Sequence, residues 1–71
     1  MDSTDVKFGE IIKRRRRELK LTQEELGKKV GCSKVCVHYY EKGLRGLTLS
    51  QFFKFCTVLG LDPDYVQKEL K

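Results

Sequence analysis

The chain has 71 residues, of which 15 are Lys or Arg and 10 are Asp or Glu, so its formal net charge is +5. A chain of this length forms one domain, near the lower limit at which an apolar core holds a chain without disulfides or metals. The three cysteines are an odd number, and no apolar segment is long enough for a secretory signal or a membrane span. We therefore expect a single domain over residues 1–71, in a reducing cytoplasm and with no membrane partner.

Helix 1 is predicted from about Thr4 or Asp5 to Glu18. Its apolar residues share one face at helical spacing: Phe8, Ile12 and Leu19. Acidic residues near the start and arginines near the end both suit the helix dipole.

The block KRRRRELK at positions 13–20 holds six basic residues and one acidic residue. Two interpretations of this block stay open. One is a solvated helix face that keeps a small protein soluble, the other is a patch that faces DNA phosphates and makes binding salt-dependent, and both can hold at once. A nuclear-localisation signal is disfavoured because the block lies inside a helical pattern.

The following stretch predicts the first of two short helices joined by a tight turn. Thr22 can accept a hydrogen bond from the amide of Glu25, whose carboxylate can reach back to the Thr22 amide, which is a capping box. Leu26 and Val30 then lie on one face, and Gly31 ends helix 2.

Helix 3 begins after Ser33 as its N-cap and ends at Gly43, with Val37 and Tyr40 facing inward. The other faces carry Lys34, Val35, Cys36, His38 and Tyr39. Two short helices joined in this way, over residues 22–43, are the layout of a DNA-reading helix-turn-helix.

Two more helices are predicted in the remaining chain. Helix 4 begins at Thr48, where T-L-S-Q is a second capping box, and ends at Gly60. Its inward residues are Phe52, Phe55, Cys56 and Leu59. Asp62 caps helix 5 and Pro63 takes its first position, followed by an apolar face of Tyr65, Val66 and Leu70. The predicted fold is therefore all-α, a compact bundle of about five short helices.

Several short motifs occur together in a fixed order: T-Q-E-E-L at 22–26, V-G-C-S at 30–33, Y-E-K-G at 40–43 and L-G-L at 59–61. Through them the chain resembles the phage-repressor and Cro-like helix-turn-helix proteins, often called Xre-type, from about Phe8 to Leu61. The resemblance implies a lambda-repressor-like fold and a sequence-specific transcriptional regulator of the Cro, repressor or controller type. It implies a homodimer that binds a palindromic operator in the major groove of double-stranded DNA near the nucleoid, with no cofactor and no small-molecule ligand.

The resemblance places base contacts at the first, second and sixth residues of helix 3, which are Lys34, Val35 and Tyr39, with Cys36 and His38 beside them. Lys34 can donate to guanine O6 and N7, and Val35 can touch a thymine methyl group. Many relatives have Gln, Asn, Ser or Arg at these positions, so the operator sequence stays undetermined. The alternatives are that Tyr39 packs beside the next tyrosine and that Val35 is an ordinary surface aliphatic.

The resemblance also implies phosphate contacts from Gln23, Ser33, Lys42 and Arg45. Gln23, at the first position of helix 2, is expected to meet a phosphate and to brace the recognition helix. Ser33 and the amides after it offer a second anion site, and Arg45 can also reach a narrow minor groove. The alternatives are solvated side chains and, for Ser33, simple capping.

Two structural roles follow from the same resemblance. Arg16 and Glu41 match a partly buried ion pair that ties helix 1 to the end of the recognition helix. A homodimer contact is expected from apolar residues of helices 4 and 5: Phe53, Tyr65, Val66 and Leu70. The alternative for helix 5 is that its apolar face packs back on helices 1 and 4.

Metal binding and catalysis are disfavoured. Cys32, Cys36 and His38 lie close in sequence, but their spacing suits neither a zinc site nor a nucleophile with a base, and Cys56 falls in the predicted core. We expect no metal and no enzymatic activity. A redox switch at Cys36 stays open, because cationic neighbours lower the pKa of a thiol.

A different class of function remains as the alternative. The same fold also serves as a protein-interaction module, such as an antitoxin or a coactivator-like domain, and helix 5 or the Phe52–Phe53 pair would then hold the partner. Binding of the isolated chain to its own upstream DNA separates the two classes.

Overall fold

The computed structural model describes residues 3–46 and 48–70. It has five helices: α1 (Ser3–Glu18), α2 (Gln23–Val30), α3 (Lys34–Lys42), α4 (Leu49–Leu59) and α5 (Pro63–Leu70). The all-α class and the five-helix order predicted from the sequence are confirmed. Helix α1 begins one residue earlier than expected, within the usual uncertainty of a helix end.

The predicted capping box at the start of α2 is present. Thr22 Oγ1 accepts from the Glu25 amide at 3.0 Å, and Glu25 Oε1 accepts from the Thr22 amide at 2.9 Å. The hydrogen bond from the Thr22 amide lowers the pKa of the Glu25 carboxyl. At the other end, Gly31 has a φ of 79°, in the left-handed region that glycine adopts without strain. The capping box at the start of α2 and the left-handed glycine at its end therefore fix the two limits of this helix.

The second predicted capping box is only half formed. Thr48 Oγ1 accepts from the Gln51 amide at 3.1 Å, as expected. Gln51 Oε1, however, is buried and has no hydrogen-bond partner among the described residues. Gln51 Oε1 therefore does not accept a hydrogen bond from the Thr48 amide. The prediction of a reciprocal box at this helix is wrong.

A cluster of aromatic rings forms the centre of the core. The Phe8 ring of α1 lies 5.3 Å from the Phe52 ring and 6.1 Å from the Phe55 ring, both of α4. Tyr40 of α3 meets Phe55 edge-on at 5.2 Å. The other buried apolar residues are Ile12, Leu26, Val30, Val37, Cys56, Leu59 and Val66. Rings from three helices thus fix the position of α3 relative to α1 and α4.

Leu19 does not join this core, although it was predicted on the same face as Phe8 and Ile12. Its side chain is 40% exposed. Helix α1 ends at Glu18, and Lys20 takes a positive φ of 59°. Because the chain turns here, the helical spacing that was extrapolated to Leu19 no longer applies, and the prediction is wrong.

Helix α1 crosses the end of α3 at very close range. A Cβ atom added to Gly9 would lie 2.4 Å from the carbonyl oxygen of Tyr40 and 2.6 Å from that of Glu41. Both atoms belong to the backbone, so no side-chain rotation can make room. Glycine is therefore needed here for the approach of two helices.

Helix α5 divides its apolar residues between the core and the surface. Its predicted cap is present, since Asp62 Oδ1 accepts from the Asp64 amide at 3.0 Å. Val66 is 1% exposed and lies in the core, Leu70 is half-buried against it, and Tyr65 is 59% exposed. The prediction of Val66 as a dimer contact is therefore wrong, because a side chain enclosed by its own domain has no surface to offer a second copy.

Candidate nucleic-acid interface

Helix α3 leaves one face open to solvent. Residues 35, 38, 39 and 42 follow the i, i+3, i+4, i+7 spacing of a single helix face, and all four are exposed. Val35 is 56% exposed and Tyr39 is 44% exposed, whereas Val37 and Tyr40 are buried on the opposite face. The centroid of the Tyr39 ring lies 6.1 Å from that of His38. Lys34 is exposed at the first position of the helix, so four of the five predicted base-contact residues are accessible.

Cys36, the fifth predicted base contact, lies on the flank of this face. It is half-buried and packs against the core. It also makes a side-chain hydrogen bond with Cys32. A residue held against the core at the flank of α3 is poorly placed to reach a base edge, and we do not retain Cys36 in the interface.

The neighbouring thiol is also unsuited to redox chemistry at neutral pH. Burial, together with the hydrogen bond to Cys36, raises the pKa of Cys32 to about 11. Since the thiolate is the nucleophilic form, Cys32 stays protonated and slow to react. The third cysteine, Cys56, is buried in the core as predicted, and burial raises the pKa of its thiol as well.

A network of polar side chains anchors the end of α3 to α1 and α2. Arg16 Nε donates to Glu41 Oε2 at 2.6 Å, and Arg16 Nη2 donates to Glu41 Oε1 at 3.1 Å. A third Arg16 nitrogen, Nη1, donates to the Leu21 carbonyl at 2.8 Å. The two charged side chains are only 11% and 3% exposed. A two-pronged ion pair shielded from water in this way fixes the relative orientation of two helices.

Gln23, at the first position of α2, joins the same network. Its Nε2 donates to Glu41 Oε1 at 3.0 Å. The bracing of the recognition helix that was expected of Gln23 is thus made through Glu41. The carboxylate consequently accepts three hydrogen bonds from two other elements, which satisfies a buried charge.

The N-terminus of α3 and the loop after it carry the other predicted phosphate contacts. Ser33 Oγ accepts from the Cys36 amide at 3.1 Å, so Ser33 acts as the N-cap. The Arg45 guanidinium lies over the Tyr40 ring, 5.7 Å from its centroid. Stacking on a buried ring limits the freedom of Arg45 while its charge stays exposed. Lys42 is exposed at the last position of the helix.

The basic block of α1 is divided between structural and free residues. Arg15 Nε donates to the Leu59 carbonyl at 2.8 Å, which ties α1 to the end of α4. Arg16 belongs to the network with Glu41. Arg14, Arg17 and Lys20 are exposed. The two central arginines therefore serve the fold, and only the remaining charges are available to a ligand.

Within residues 3–46 and 48–70, no group of three or more His, Cys, Asp or Glu side chains is arranged to hold a metal ion. No helix in the same ranges combines the length and the apolar character that crossing a bilayer requires.

A compact five-helix bundle in which α2 and α3 meet at a glycine turn, with one face of α3 left open, is a helix-turn-helix domain. A helix-turn-helix family profile matches residues 12–66. The chain belongs to this Xre-type, lambda-repressor-like family, so the predicted resemblance is confirmed.

Solved structures support the same assignment. The restriction-modification controller protein C.AhdI from Aeromonas hydrophila is 31% identical, with a TM-score of 0.79 over 94% of this chain and 96% of that one. The P22 c2 repressor, solved in complex with a synthetic operator, is 34% identical, with a TM-score of 0.76 over 83% of this chain and 89% of that one. The clp gene regulator ClgR from Corynebacterium glutamicum shares the fold, with a TM-score of 0.86 and 19% identity over 94% of this chain and 71% of that one.

A comparison with curated protein sequences gave no match. The family and the two more similar structures establish the general function: the chain is a sequence-specific DNA-binding transcription regulator of the Cro and repressor type.

Proposed function

We propose that the chain regulates transcription by binding a palindromic operator as a homodimer, with α3 of each copy in the major groove. The observation that carries the proposal is the open face of α3, which is held at a fixed angle by the buried Arg16–Glu41 pair. A rigid helix with an exposed face presents its side chains to base edges at a defined register. The protein acts without catalysis or a cofactor, and it works in the cytoplasm at the nucleoid.

The residues of the open face have distinct roles in this proposal. Lys34 donates to guanine O6 and N7, Val35 packs on a thymine methyl group, and Tyr39 contacts a base or the groove wall with His38 beside it. The DNA backbone is held by residues that flank α3: Gln23, Ser33, Lys42 and Arg45. The similarity to a repressor solved with its operator supports the same mode of approach to DNA.

The base-reading residues are tested by selection of binding sites from a random duplex library, followed by titration of the enriched site. We expect a palindromic site, and we expect Lys34→Ala or Tyr39→Ala to weaken its binding by about 1 to 3 kcal/mol. Lys20→Ala is the control for charge alone, because Lys20 is exposed in the basic block at 13–20 and does not lie on the open face of α3. It should change only the weak, salt-dependent component of binding.

Absence of any enriched site, with salt-sensitive binding that neither substitution alters, would contradict the proposal. A partner-binding module of the same fold would then be the function that the data favour.

The dimer contact is proposed to lie on the apolar surface shared by α4 and α5. Leu49 is 68% exposed, and it lines a shallow groove together with Phe52 and Leu70. Tyr65 of α5 is also exposed. Leu49 was not expected in this role, because the sequence pattern alone does not show that the first turn of α4 leaves it uncovered. Two copies that bind half-sites one helical turn apart distinguish the operator from other DNA sequences better than one copy can.

Substitution of Leu49 by glutamate is expected to shift the protein from dimer to monomer and to weaken operator binding at least about tenfold, because it places a charge in an apolar contact. Leu19→Glu is the matched control, since Leu19 is an exposed leucine at the end of α1. Sedimentation velocity, with and without an operator-sized duplex, provides the measurement. A wild-type chain that stays monomeric in both conditions rules out the dimer.

A further inference from the structure

A groove runs between the C-terminal end of α2 and the outer face of α4. Its volume is about 510 Å³, and it opens to solvent. Val58, which is half-buried, contributes apolar surface above the buried Val30, and Phe53, which is 45% exposed, forms one wall. Phe53 was predicted as part of the dimer contact. It lines this groove and not the one between α4 and α5, although its ring lies 5.5 Å from that of Phe52, and its role in a dimer stays a prediction.

Three lysines surround the apolar surface: Lys28, Lys29 and Lys54. Lys28 has an acidic partner, Glu24, at 3.8 Å, but both side chains are more than half exposed, so the pair contributes little. Lys29 and Lys54 form no ion pair with the described residues. Glu25 lies close enough to Lys28 and Lys29 for their charges to help lower the pKa of its carboxyl, so the groove keeps a net positive charge that Lys54 carries most freely.

The groove differs from the open face of α3 in its chemistry, and its lining lies mostly on α2 and α4. Gln23, at the N-terminal end of α2, contacts the network around Glu41, whereas the groove lies at the opposite end of this eight-residue helix. At a rise of about 1.5 Å per residue, the two ends are roughly 10 Å apart. A phosphate backbone also offers no apolar group to fill a surface made of valine and phenylalanine.

We propose that this groove binds an acidic amphipathic segment of a partner protein. One or two apolar side chains of the segment cover Val58 and Phe53, and its Asp or Glu side chains face the three lysines. Apolar anchors with a rim of opposite charge are the usual combination in helix-in-groove recognition. A single short segment in a groove of this kind buries much less surface than a permanent interface does, which is typical of a transient contact.

The test uses the isotope-labelled full chain without DNA and three synthetic 14-residue peptides, followed by NMR of the backbone amides. The first peptide places Leu, Phe and Leu on one helix face with Glu elsewhere. The second replaces Glu by Lys, and the third replaces the apolar residues by Ser. We expect the first peptide alone to shift amides around the groove.

Lys54→Glu should weaken binding of the first peptide about three- to tenfold, because it removes an attraction and adds a repulsion. Lys68→Glu makes the same change of net charge on α5, away from the groove, and should leave peptide affinity within about twofold of wild type. Operator affinity should be equal in the two variants. The peptide titration is made without DNA, so its outcome is independent of whether an operator is found.

Four results would overturn the proposal. The first is the absence of localised shifts, and the second is equal binding of the basic or the serine-substituted peptide. The third is a greater loss of DNA affinity in Lys54→Glu than in Lys68→Glu, which would make the lysines phosphate contacts. The fourth is the same pattern of shifts on raising the protein concentration alone, which would identify a second copy as the occupant.

Discussion

Replacing Arg16 by methionine is expected to lower the free energy of unfolding by about 3 to 5 kcal/mol. The substitution keeps most of the volume but leaves the Glu41 carboxylate, only 3% exposed, without its cationic partner. A domain of this size has a total stability of about 4 to 11 kcal/mol, so the variant should be close to unfolding. Urea denaturation followed by circular dichroism at low temperature gives the measurement.

Arg17→Met is the matched control, because Arg17 is the adjacent arginine and is exposed. It should change stability by less than about 0.5 kcal/mol. A double variant, Arg16→Met with Glu41→Leu, should recover much of the loss, since an apolar pair of similar volume can replace a buried ion pair. If Arg16→Met is no less stable than Arg17→Met, the pair contributes nothing to stability and its anchoring role is refuted.

The same variants distinguish an effect on the stability of the fold from an effect on the orientation of α3, the helix proposed to read DNA. The double variant should fold but bind the operator less tightly than wild type, because Gln23 loses its acceptor and α3 loses its polar anchor to α2. Operator titration at a temperature where the double variant is fully folded measures this effect directly.

The helices were predictable because local contacts determine their limits. Thr22 and Glu25 complete a box within four residues, and Gly31 and Gly43 adopt left-handed conformations that end α2 and α3. These signals are local to the chain, although Gly43 also packs closely against Val6 of α1. The boundaries of both could therefore be read from the sequence before the structure was known.

The errors arose where tertiary packing decides the outcome. Gln51 has the residue type for a capping box, but its side-chain oxygen is buried and accepts no hydrogen bond from the described residues. Val66 and Tyr65 are both apolar residues of α5, and only the fold shows that the first is enclosed and the second exposed. Cys36 adjoins the predicted base contacts in sequence, yet helix geometry and its contact with Cys32 place it on the flank.

The close approach of α1 to α3 was likewise invisible in the sequence, where Gly9 is simply a glycine inside a helix. Glycine in such a position lowers helix stability by about 1 kcal/mol relative to alanine, so it needs a packing reason. The structure supplies one, because the backbone of residues 40 and 41 occupies the space of a Cβ atom.

Alanine at position 9 is accordingly expected to destabilise the domain by about 1 to 3 kcal/mol, because the steric cost exceeds the gain in helix propensity. The added Cβ would lie 2.4 Å from the Tyr40 carbonyl oxygen, so α1 must move away from α3. Gly46→Ala is the control, since nothing lies within 4 Å of its added Cβ. Thermal denaturation of both variants measures the difference.

The displacement should also reach the DNA-binding surface. Arg16 lies on the same helix as Gly9, so a shift of α1 lengthens the hydrogen bonds to Glu41 that hold α3. The Gly9→Ala variant should therefore bind the operator more weakly than wild type, and the loss should exceed what the smaller amount of folded protein accounts for. If the variant is as stable as wild type, the two helices can move apart at little cost. The close packing at Gly9 would then not anchor α3, and only the Arg16–Glu41 ion pair would.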